Sequence, residues 1–306
     1  MKNKQILVIG SVNTDLVVKT ERLPQPGETV LGGNFFVTGG GKGANQAVAA
    51  ARLGGHVSLV ARIGQDSFGM QSVRAFREEG IDTSAVLVDE SFPSGVALIT
   101  VNQAGENCIV VAPGANAYLT PLDLKGIDPL LEQADILLLQ LEIPLETVVY
   151  AASRGKQLGK LVILNPAPAS ALPADLLESL DILTPNQQEA ERLTGVPVTD
   201  EPSARLAADR LHAEGVATVV VTMGKNGCYV SRNGQGSVVA SPQVTAVDTT
   251  AAGDVFNGAL AVGLSEGMDI QAAASLACRA AALSVTQFGA QTSAPFRHTL
   301  DQLFPA

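Results

Sequence analysis

Short apolar runs rich in Val, Ile and Leu recur along the chain, and segments with helical periodicity separate most of them. The runs occupy residues 6–9, 57–61, 136–141, 161–164, 182–183 and 216–222. They are continuous rather than alternating, which is typical of strands that are covered on both faces. The clearest helical segments are residues 44–53, 68–79, 145–157, 187–194 and 203–214. This alternation predicts an α/β fold with three layers, in which helices flank a parallel sheet.

Residues 11–38 and 94–111 depart from this alternation. The second region predicts a β-hairpin, with strands at 95–101 and 107–111 around a turn at 102–105. The first region contains further short apolar segments separated by Pro and Gly. We expect both regions to add strands at the edge of the main sheet, where they would form a small antiparallel β lid or an interface.

The C-terminal third predicts two Ala-rich helices, at 252–264 and 270–288, and Gly289 is suited to end the second of them. No internal repeat and no long polar linker interrupts the sequence. Residues 1–306 are therefore predicted to form a single α/β domain that carries the lid. Hydrophobic residues make up 46% of the chain and charged residues 16%, which is enough apolar material for a large core.

The charge balance excludes several classes of partner. The chain carries 20 Lys and Arg against 30 Asp and Glu, a net charge of −10, and its basic residues are scattered. Binding to nucleic-acid phosphates or to a membrane surface is therefore not expected. No apolar run approaches 18 residues and no signal-sequence pattern is visible, so we expect a soluble cytoplasmic protein. Cys108, Cys228 and Cys278 form no CxxC pair and are odd in number, which predicts buried free thiols.

The most informative motif is Asp248-Thr-Thr-Ala-Ala-Gly-Asp254, which leads directly into an apolar helix. Small residues at 251–253 would leave backbone N–H groups open at a helix N-terminus, a position that attracts anions. Asp254 falls in the first turn, where it could take a proton from a hydroxyl while the N–H groups stabilise a transferring phosphoryl group. A structural role is equally open, because Asp254 would also complement the helix dipole and small residues allow close packing.

Two further junctions between strands and helices carry similar residues. A glycine run at 39–41 with Lys42 and Asn45 opens one helix. It would let the backbone approach a ligand, although a simple turn with a solvated lysine is the alternative. Asn13 and Asp15 follow the first strand, where α/β sheets bind ligands and where amide and carboxylate groups suit sugar hydroxyls. An Asx turn is the alternative there.

Asn186 and Glu189 lie one turn apart on a predicted helix. They could order Mg²⁺ and its waters, or they could form a capping box. Glu142, at the end of another apolar run, is a further candidate ligand contact. Residues 222–227 form either a loop that touches a nucleotide or a plain turn. Taken together, these junctions favour an enzyme that acts on a small polyhydroxyl compound with a phosphate donor.

Four motifs resemble those of the ribokinase-like carbohydrate kinase family, in matching order and spacing over essentially the whole chain. They are Asn13-Thr-Asp15, Gly40-Gly-Lys-Gly-Ala-Asn45, Asn186-Gln-Gln-Glu189 and Asp248-Thr-Thr-Ala-Ala-Gly-Asp254. The resemblance implies ATP-dependent phosphorylation of the 5-hydroxyl of D-ribose, which yields D-ribose 5-phosphate and ADP. It also implies that the inserted β segments form a lid through which two chains associate as a homodimer.

The resemblance further implies a role for each matching residue. Asp254 would be the catalytic base, and Ala252 and Gly253 would supply the amides of an anion hole. Besides Asp254, the sugar would be held by Asn13, Asp15, Gly41, Lys42, Asn45 and Glu142. The nucleotide would be held by Asn186, Thr222, Gly224, Gly227, Gly253 and Cys278. The Mg²⁺ region would be organised by Asn186 and Glu189. A monovalent cation, K⁺, would be held by Asp248, Thr250, Ser284, Gln287, Gly289 and Ser293.

Two alternatives remain open. The first is a kinase for another sugar or a nucleoside, such as deoxyribose, fructose or adenosine. A nucleoside would need aromatic stacking surfaces, and a chain with 9 Phe, 3 Tyr and no Trp mildly favours a free sugar. The second is a non-catalytic sugar-binding regulator on the same scaffold, which the intact motif around Asp254 argues against.

Overall fold

The computed structural model describes residues 4–104 and 106–305. Its strands are β1 (Gln5–Ile9), β2 (Asn13–Lys19), β3 (Phe35–Gly40), β4 (His56–Gly64), β5 (Val86–Asp89), β6 (Gly95–Val101), β7 (Asn107–Ala112), β8 (Ile136–Leu139), β9 (Leu161–Leu164), β10 (Ile182–Leu183), β11 (Thr218–Thr222), β12 (Cys228–Arg232) and β13 (Gln235–Val239). Its α-helices are α1 (Lys42–Arg52), α2 (Ser67–Glu78), α3 (Pro121–Lys125), α4 (Asp128–Gln133), α5 (Leu145–Gln157), α6 (Ala174–Glu178), α7 (Gln187–Thr194), α8 (Glu201–Ala213), α9 (Ala252–Ser265), α10 (Ile270–Ser284) and α11 (Arg297–Leu303). Among these residues, no helix has the length and apolar character needed to cross a lipid bilayer.

The main sheet has nine strands in the order β13-β12-β11-β10-β9-β8-β1-β4-β5. Neighbouring strands from β11 to β5 run parallel. The pairs β11–β12 and β12–β13 are antiparallel and extend one side of the sheet. The predicted fold class, a largely parallel sheet flanked by helices with a small second sheet, is confirmed.

Each central strand buries side chains on both faces, which explains why the strands read as continuous apolar runs. In β1, Ile6 and Val8 pack into the core cluster that includes α1, α9 and α10. Leu7 and Ile9 of the same strand pack into the opposite cluster, which includes α5 and α8. All four side chains are at most 1% exposed. Burying a side chain of this size stabilises the fold by about 1.5–3 kcal/mol.

The second Ala-rich helix ends earlier than the sequence predicts. The pattern extends over 270–288, whereas α10 ends at Ser284. Just beyond it, the carbonyl oxygen of Val285 accepts the N–H groups of Val247 (2.7 Å) and Asp248 (3.2 Å). The chain leaves the helix here and lies against the segment that precedes α9.

The two regions predicted as a lid form a sheet of their own, in the order β3-β2-β6-β7. The outer pairs are antiparallel, and β2 and β6 pair parallel at the centre. The prediction that these strands extend the edge of the main sheet is wrong. The edge strands of the main sheet are β13 and β5, and β1 is paired with β4 and β8. Strand β2, which follows β1 after three residues, therefore pairs with β3 and β6 in a second sheet. Gly105, part of the predicted turn, lies outside the described residues.

The cysteines are free thiols, as predicted. Cys228 and Cys278 are buried, with their Sγ atoms 3.7 Å apart. Cys108 is exposed, so the prediction that it is buried is wrong. It lies on β7, the last strand of the small sheet, where every residue is exposed.

Candidate active site

Polar side chains gather where the carboxyl ends of the parallel strands meet the N-termini of α1 and α9. Ser11 follows β1, Glu142 follows β8, Asn165 follows β9 and Asn186 follows β10. The carboxyl ends of parallel strands lie at one edge of a sheet, which is where open α/β sheets bind ligands. The fold thus brings together residues that are distant in sequence and that the sequence singled out separately.

The start of α9 presents open backbone N–H groups. Ala251 precedes the helix with a φ of 59°, in the left-handed region that favours glycine. Backbone strain of this kind costs about 1–3 kcal/mol and is concentrated at functional sites. The Gly253 amide has no hydrogen-bond partner within residues 4–104 and 106–305, and a Cβ there would meet no atom within 4 Å. The Ala252 amide donates to the carbonyl oxygen of Thr249 at 3.3 Å, so it is less free than that of Gly253.

Asp254 is a buried carboxylate, 5% exposed, in the first turn of α9. Its Oδ2 accepts a hydrogen bond from Asn45 Nδ2 at 2.9 Å, and its Oδ1 accepts one from Gln46 Nε2 at 3.0 Å. Burial raises the pKa of Asp254, although the Lys42 ammonium and the two amide donors oppose the rise. Asp254 is therefore oriented through both oxygens and is more basic than an ordinary aspartate.

Gln46 is held from both ends of its amide. Its Nε2 donates to Asn165 Oδ1 at 3.2 Å as well as to Asp254. Its Oε1 accepts from Gln140 Nε2 at 2.7 Å. Gln46 and Gln140 are fully buried. Because the oxygen of Gln46 is occupied by Gln140, its NH₂ group stays directed at Asp254.

The glycine run before α1 allows the backbone at residues 40 and 41 to pack closely against the start of β2. A Cβ on Gly40 would overlap the carboxylate of Asp15. Gly41 has a φ of 87°, and a Cβ there would lie 2.7 Å from the backbone nitrogen of Asn13. The sequence predicted that this run approaches a ligand, whereas the need for glycine at 40 and 41 already follows from contacts within the chain. These contacts place the start of α1 directly against β2.

Glu142 lies beside the start of α1. Its Oε2 accepts hydrogen bonds from Ser11 Oγ at 2.6 Å and from the backbone N–H of Lys42 at 3.0 Å. Burial opposes the positive charge of Lys42, but the carboxylates of Asp254, Glu142 and Glu189 outweigh it and raise the pKa of the ammonium. Lys42 is therefore a cation surrounded by acidic groups.

Asn13 and Asp15 are two residues apart on β2, so their side chains share one face of the small sheet. Both are buried, at 4% and 8% exposure. Burial, together with the charges of Glu142 and Asp254, raises the pKa of Asp15 to about 6. At neutral pH Asp15 is therefore a charged carboxylate, and keeping this charge in the folded protein lowers the free energy of unfolding.

This cost predicts a pH-dependent gain in stability for Asp15→Asn. The folded-state pKa of about 6 exceeds the ordinary value of 3.8, so the folded protein binds more protons in that interval and loses stability as pH rises through it. We compare the unfolding free energy of the variant with that of the wild type at each pH. This difference should be about 1 kcal/mol more in favour of the variant at pH 7.5 than at pH 5. Urea unfolding at both pH values measures this difference, and an equal effect at both would contradict it.

Asn186 and Glu189 form the capping box that the sequence offered as a structural alternative. Asn186 Oδ1 accepts the N–H of Glu189 at 2.9 Å, and Glu189 Oε2 accepts the N–H of Asn186 at 2.8 Å. Burial raises the pKa of Glu189, and the Asn186 N–H and the charge of Lys42 oppose the rise. Glu189 Oε1 makes no hydrogen bond within the described part of the chain, so one carboxylate oxygen remains available beside the cap.

The loop at 222–227 joins β11 to β12 beside this cap. Thr222 forms an isolated parallel bridge with Asn186. Gly224 and Gly227 have φ values of 56° and 86°. A Cβ on Gly227 would overlap the carbonyl oxygen of Val239, whereas one on Gly224 would meet open space. The close packing within this turn explains why residue 227 is a glycine. At Gly224 no neighbouring atom covers the backbone, which leaves it accessible to a ligand.

The segments before α9 and after α10 are joined through Asp248. Its Oδ2 accepts the N–H of Gly289 at 2.9 Å, and its Oδ1 accepts from Thr250 N at 2.9 Å and Thr250 Oγ1 at 2.6 Å. Burial opposes the negative charge of Asp248, but these donors outweigh it and lower its pKa. Asp248 therefore keeps a full negative charge where the two segments meet.

The other residues implied for a cation site lie at the end of α10 and on the segment that follows it. The Ser284 and Ser293 hydroxyls are buried and donate to carbonyl oxygens of their own turns, at 2.9 Å each, while Gln287 is exposed. Among the residues that the structure covers, no cluster of three His, Cys, Asp or Glu side chains could hold a metal ion. Ligands at this place would be carbonyl and hydroxyl oxygens, with the charge of Asp248 nearby.

Cys278 lies in the core next to the strand that packs against the 222–227 loop. It is 3% exposed, and its Sγ faces Cys228 at 3.7 Å and the carbonyl oxygen of Val239 at 3.9 Å. The resemblance implied that Cys278 contacts the nucleotide. The thiol is buried and packs against Cys228, and its contact with a nucleotide stays a prediction.

The sequence model of the pfkB family of carbohydrate kinases matches residues 3–297. The chain belongs to this family. The ribokinase of Haemophilus influenzae is 46% identical over 294 residues, which cover 96% of each protein. The deoxyribokinase of Salmonella typhimurium is 40% identical over 291 residues, which cover 95% of each. The solved structure of Arabidopsis thaliana ribokinase complexed with ribose and ATP superimposes with a TM-score of 0.91, at 34% identity and 99% coverage of both chains.

A pfkB carbohydrate kinase transfers a phosphoryl group to a sugar, which calls for a proton acceptor and for donors that stabilise developing negative charge. In this kinase, Asp254 and the open amide of Gly253 are adjacent at the start of α9. The buried Lys42 ammonium adds a positive charge that interacts with Asp254. The arrangement can therefore accept a proton and stabilise an anion within one site.

Sequence reasoning assigned no role to several polar residues of this kinase site, namely Gln46, Gln140, Asn165 and Asn116. Asn165 directly follows the apolar run 161–164, and Gln140 is a polar residue within the apolar run 136–141. These two positions were the signals that could have found them. Asn116 lies in a short 3₁₀ helix, Gly114–Tyr118, outside the strand and helix alternation. Only its buried contacts, described below, make it conspicuous.

Proposed function

We propose that this kinase transfers the γ-phosphoryl group of ATP to the 5-hydroxyl of D-ribose, giving D-ribose 5-phosphate and ADP. The observation that carries the proposal is the buried Asp254 carboxylate, held by Asn45 and Gln46 beside the open amide of Gly253. A relative with 46% identity is named ribokinase, which supports ribose as the substrate.

Asp254 is the proposed general base. Each of its oxygens accepts one amide hydrogen bond and keeps a lone pair for the hydroxyl proton of the sugar. Its raised pKa brings it closer to the pH at which the enzyme works, which favours proton transfer. As the proton moves to Asp254, the sugar oxygen becomes a better nucleophile toward the γ-phosphorus.

The proposed sugar site combines donors and acceptors from β2 and α1. Asp15 offers carboxylate oxygens and Lys42 offers an ammonium group. Asn45 uses its NH₂ group on Asp254, and its Oδ1 is buried without a hydrogen-bond partner among the described residues. A buried acceptor left unpaired costs stability, so a ligand hydroxyl that donates to it would be bound favourably. Gly41 and Glu142 border this group of residues.

The proposed phosphoryl site is the N-terminus of α9. The Gly253 amide and the positive end of the helix dipole would stabilise the charge on the transferring group. The Ala252 amide can contribute once its long bond to Thr249 is exchanged. Thr222, Gly224 and Gly227 would line the nucleotide, since their loop adjoins the Asn186 cap through the bridge at Thr222.

The residues present fit Mg²⁺ bound with ATP. Glu189 Oε1 makes no hydrogen bond within the described ranges and belongs to a carboxylate that feels the charges of Lys42 and Asp254. Mg²⁺ prefers oxygen ligands and keeps several waters, which Glu189 and Asn186 could order. When bound, Mg²⁺ would neutralise charge on the phosphates.

The segments joined by Asp248 fit a monovalent cation, and we propose K⁺ there. Asp248 keeps a negative charge, and Thr250, Ser284, Gln287, Gly289 and Ser293 supply carbonyl and hydroxyl oxygens around the two segments. Such hard oxygen donors suit K⁺. When bound, K⁺ would add positive charge close to the start of α9.

Removing K⁺ should therefore lower turnover. With K⁺ replaced by Li⁺ at equal ionic strength, kcat should fall several-fold, and Asp248→Asn should weaken the response to K⁺. Steady-state assays across a K⁺ titration measure both effects, with tetramethylammonium as the ionic-strength control. Equal kcat in K⁺ and Li⁺ would contradict the proposed cation site.

A substrate panel tests the proposed reaction. ADP release is measured with D-ribose, 2-deoxyribose, fructose and adenosine, and the product is identified by its phosphorylated position. We expect the highest kcat/KM with D-ribose and phosphate on its 5-hydroxyl. The relative named deoxyribokinase makes 2-deoxyribose the principal alternative. A higher kcat/KM with 2-deoxyribose would reject ribose as the preferred substrate.

The outer face of the small sheet supports the proposed homodimer. Leu16 pairs with Val37 on one side and with Leu98 on the other, and Leu98 pairs with Val110. These four apolar side chains form a row on the face opposite Asp15. Val37, Leu98 and Val110 are 50%, 54% and 62% exposed. A row of this kind is suited to burial against a second copy of the chain.

A charge placed in this row should separate the two chains. Val110→Glu should convert a dimer into a monomer, because dimerisation would bury an unpaired carboxylate. Val238→Glu, on the edge strand β13 of the main sheet, is the matched control and should leave the dimer intact. Light scattering coupled to gel filtration measures the mass, and a dimer that survives Val110→Glu would contradict this interface.

A further inference from the structure

Asn116 is a buried amide, 1% exposed, whose orientation is set by backbone groups. Its Oδ1 accepts the N–H of Val12 at 2.9 Å. Its Nδ2 lies 3.0 Å from the carbonyl oxygen of Val12 and 3.0 Å from that of Pro113. A backbone N–H can only donate and a backbone carbonyl can only accept. The oxygen and nitrogen of Asn116 therefore cannot be exchanged.

This orientation determines that of Asn13. Asn116 Nδ2 also donates to Asn13 Oδ1 at 2.8 Å. The oxygen of Asn13 is thus occupied, and its NH₂ group is directed away from Asn116. Asn13 is 4% exposed, and its Nδ2 makes no hydrogen bond to any residue in 4–104 or 106–305. An amide donor that has no partner in the protein can donate to a ligand oxygen, and its direction indicates the side on which that ligand would bind.

Gly95 makes room for this pair of amides. It is aligned with Asn13 in the parallel pairing of β2 and β6. A Cβ on Gly95 would overlap both Asn13 Oδ1 and Asn116 Nδ2. The two amides are therefore packed against the backbone at residue 95, which leaves little freedom for either to rotate.

We infer that Asn116 is a positioning residue for sugar recognition, which holds the amide of Asn13 with its NH₂ group toward the substrate. Asn13 then donates a hydrogen bond to a sugar oxygen, while the Asp15 carboxylate, on the same face of β2, accepts a hydrogen bond from a sugar hydroxyl. Without Asn116, the amide of Asn13 can turn over and set its oxygen against the sugar oxygen. This inference rests on the proposed function, because it takes the ligand at Asn13 to be the sugar.

A double-mutant cycle on ribose binding tests this inference. Ribose affinity is measured by calorimetry for the wild type, Asn13→Ala, Asn116→Ala and the double variant. We expect each single change to weaken binding roughly tenfold, since each removes the same hydrogen bond. The double variant should then bind ribose no more weakly than Asn13→Ala. Additive losses would overturn the positioning role, because they would show that Asn116 acts independently of Asn13.

Asn13→Asp tests the direction of the hydrogen bond and does not depend on the folding of the Asn116 variant. The substitution keeps the oxygen that accepts from Asn116 and replaces the NH₂ group by an oxygen. Ribose should then bind at least as weakly as it does to Asn13→Ala. Binding within about threefold of the wild type would overturn the inference, since it would mean that Asn13 contacts the sugar through an acceptor.

Val73→Ala is the control for lost stability. Val73 lies in the core on α2, outside the proposed site, so its truncation should lower the Tm without changing ribose affinity. Failure of the wild type to bind ribose would overturn the proposed function together with this inference. If the wild type phosphorylates ribose normally but the losses in the double-mutant cycle are additive, the positioning role of Asn116 is overturned and the proposed function stands.

Discussion

Replacement of Asp254 by Asn should lower kcat roughly 10³-fold while ribose and MgATP still bind. The new amide has the shape of the carboxylate but cannot take up the proton of the sugar hydroxyl. Gln46 cannot turn its amide, because Gln140 holds its oxygen, so it should donate to the oxygen of the new side chain. Asn45 can rotate and accept from the new NH₂ group, since its Oδ1 has no partner among the described residues.

The measurement combines steady-state kinetics with calorimetric binding of ribose. Asp209→Asn is the matched control, because Asp209 is exposed on α8 and should tolerate the same change without loss of kcat. Since burial raises the pKa of Asp254, the wild-type kcat should also fall on the acid side at a higher pH than for an ordinary carboxylate. A kcat within tenfold of the wild type would show that Asp254 is not the base.

Replacement of Asp15 by Ala should raise the KM for ribose about 100-fold and leave MgATP affinity unchanged. Hydrogen bonds to a charged group contribute about 1.5–3 kcal/mol each, so losing an acceptor that serves one or two hydroxyls has an effect of this size. The loss cannot be attributed to unfolding, because the fold holds the Asp15 carboxylate at a cost. Its raised pKa means that removing its charge should stabilise the protein at neutral pH.

Glu106→Gln is the control for this variant, since Glu106 is an exposed carboxylate beside the same small sheet. It should leave the KM for ribose unchanged. Kinetics with each substrate varied in turn separates the ribose effect from the ATP effect. A rise in the KM for ATP of the same size as that for ribose would contradict the assignment of Asp15 to the sugar.

The layered fold could be predicted because the burial of each strand and helix determines the local pattern of apolar residues in the sequence. A strand covered on both faces, such as β1, must be apolar at every position, and a helix on one face shows a 3.6-residue period. Helices 145–157 and 187–194 were predicted with the ends that the structure has. The small sheet was predicted from the break in this alternation, but its central pairing of β2 with β6 was not, because it joins segments that are far apart in the sequence.

The sequence by itself determined which chemical groups the site contains: carboxylates, amides, a lysine and an open helix N-terminus at the strand-to-helix junctions. Only the tertiary structure decided which group meets which. Asn45 contacts Asp254 across 209 residues of sequence, and Asn116 contacts Asn13 across 103. The same holds for the raised pKa of Asp15, which comes from burial and from the charges of Glu142 and Asp254. Hydrogen bonds and charge interactions depend on distance through space, which residue order does not encode.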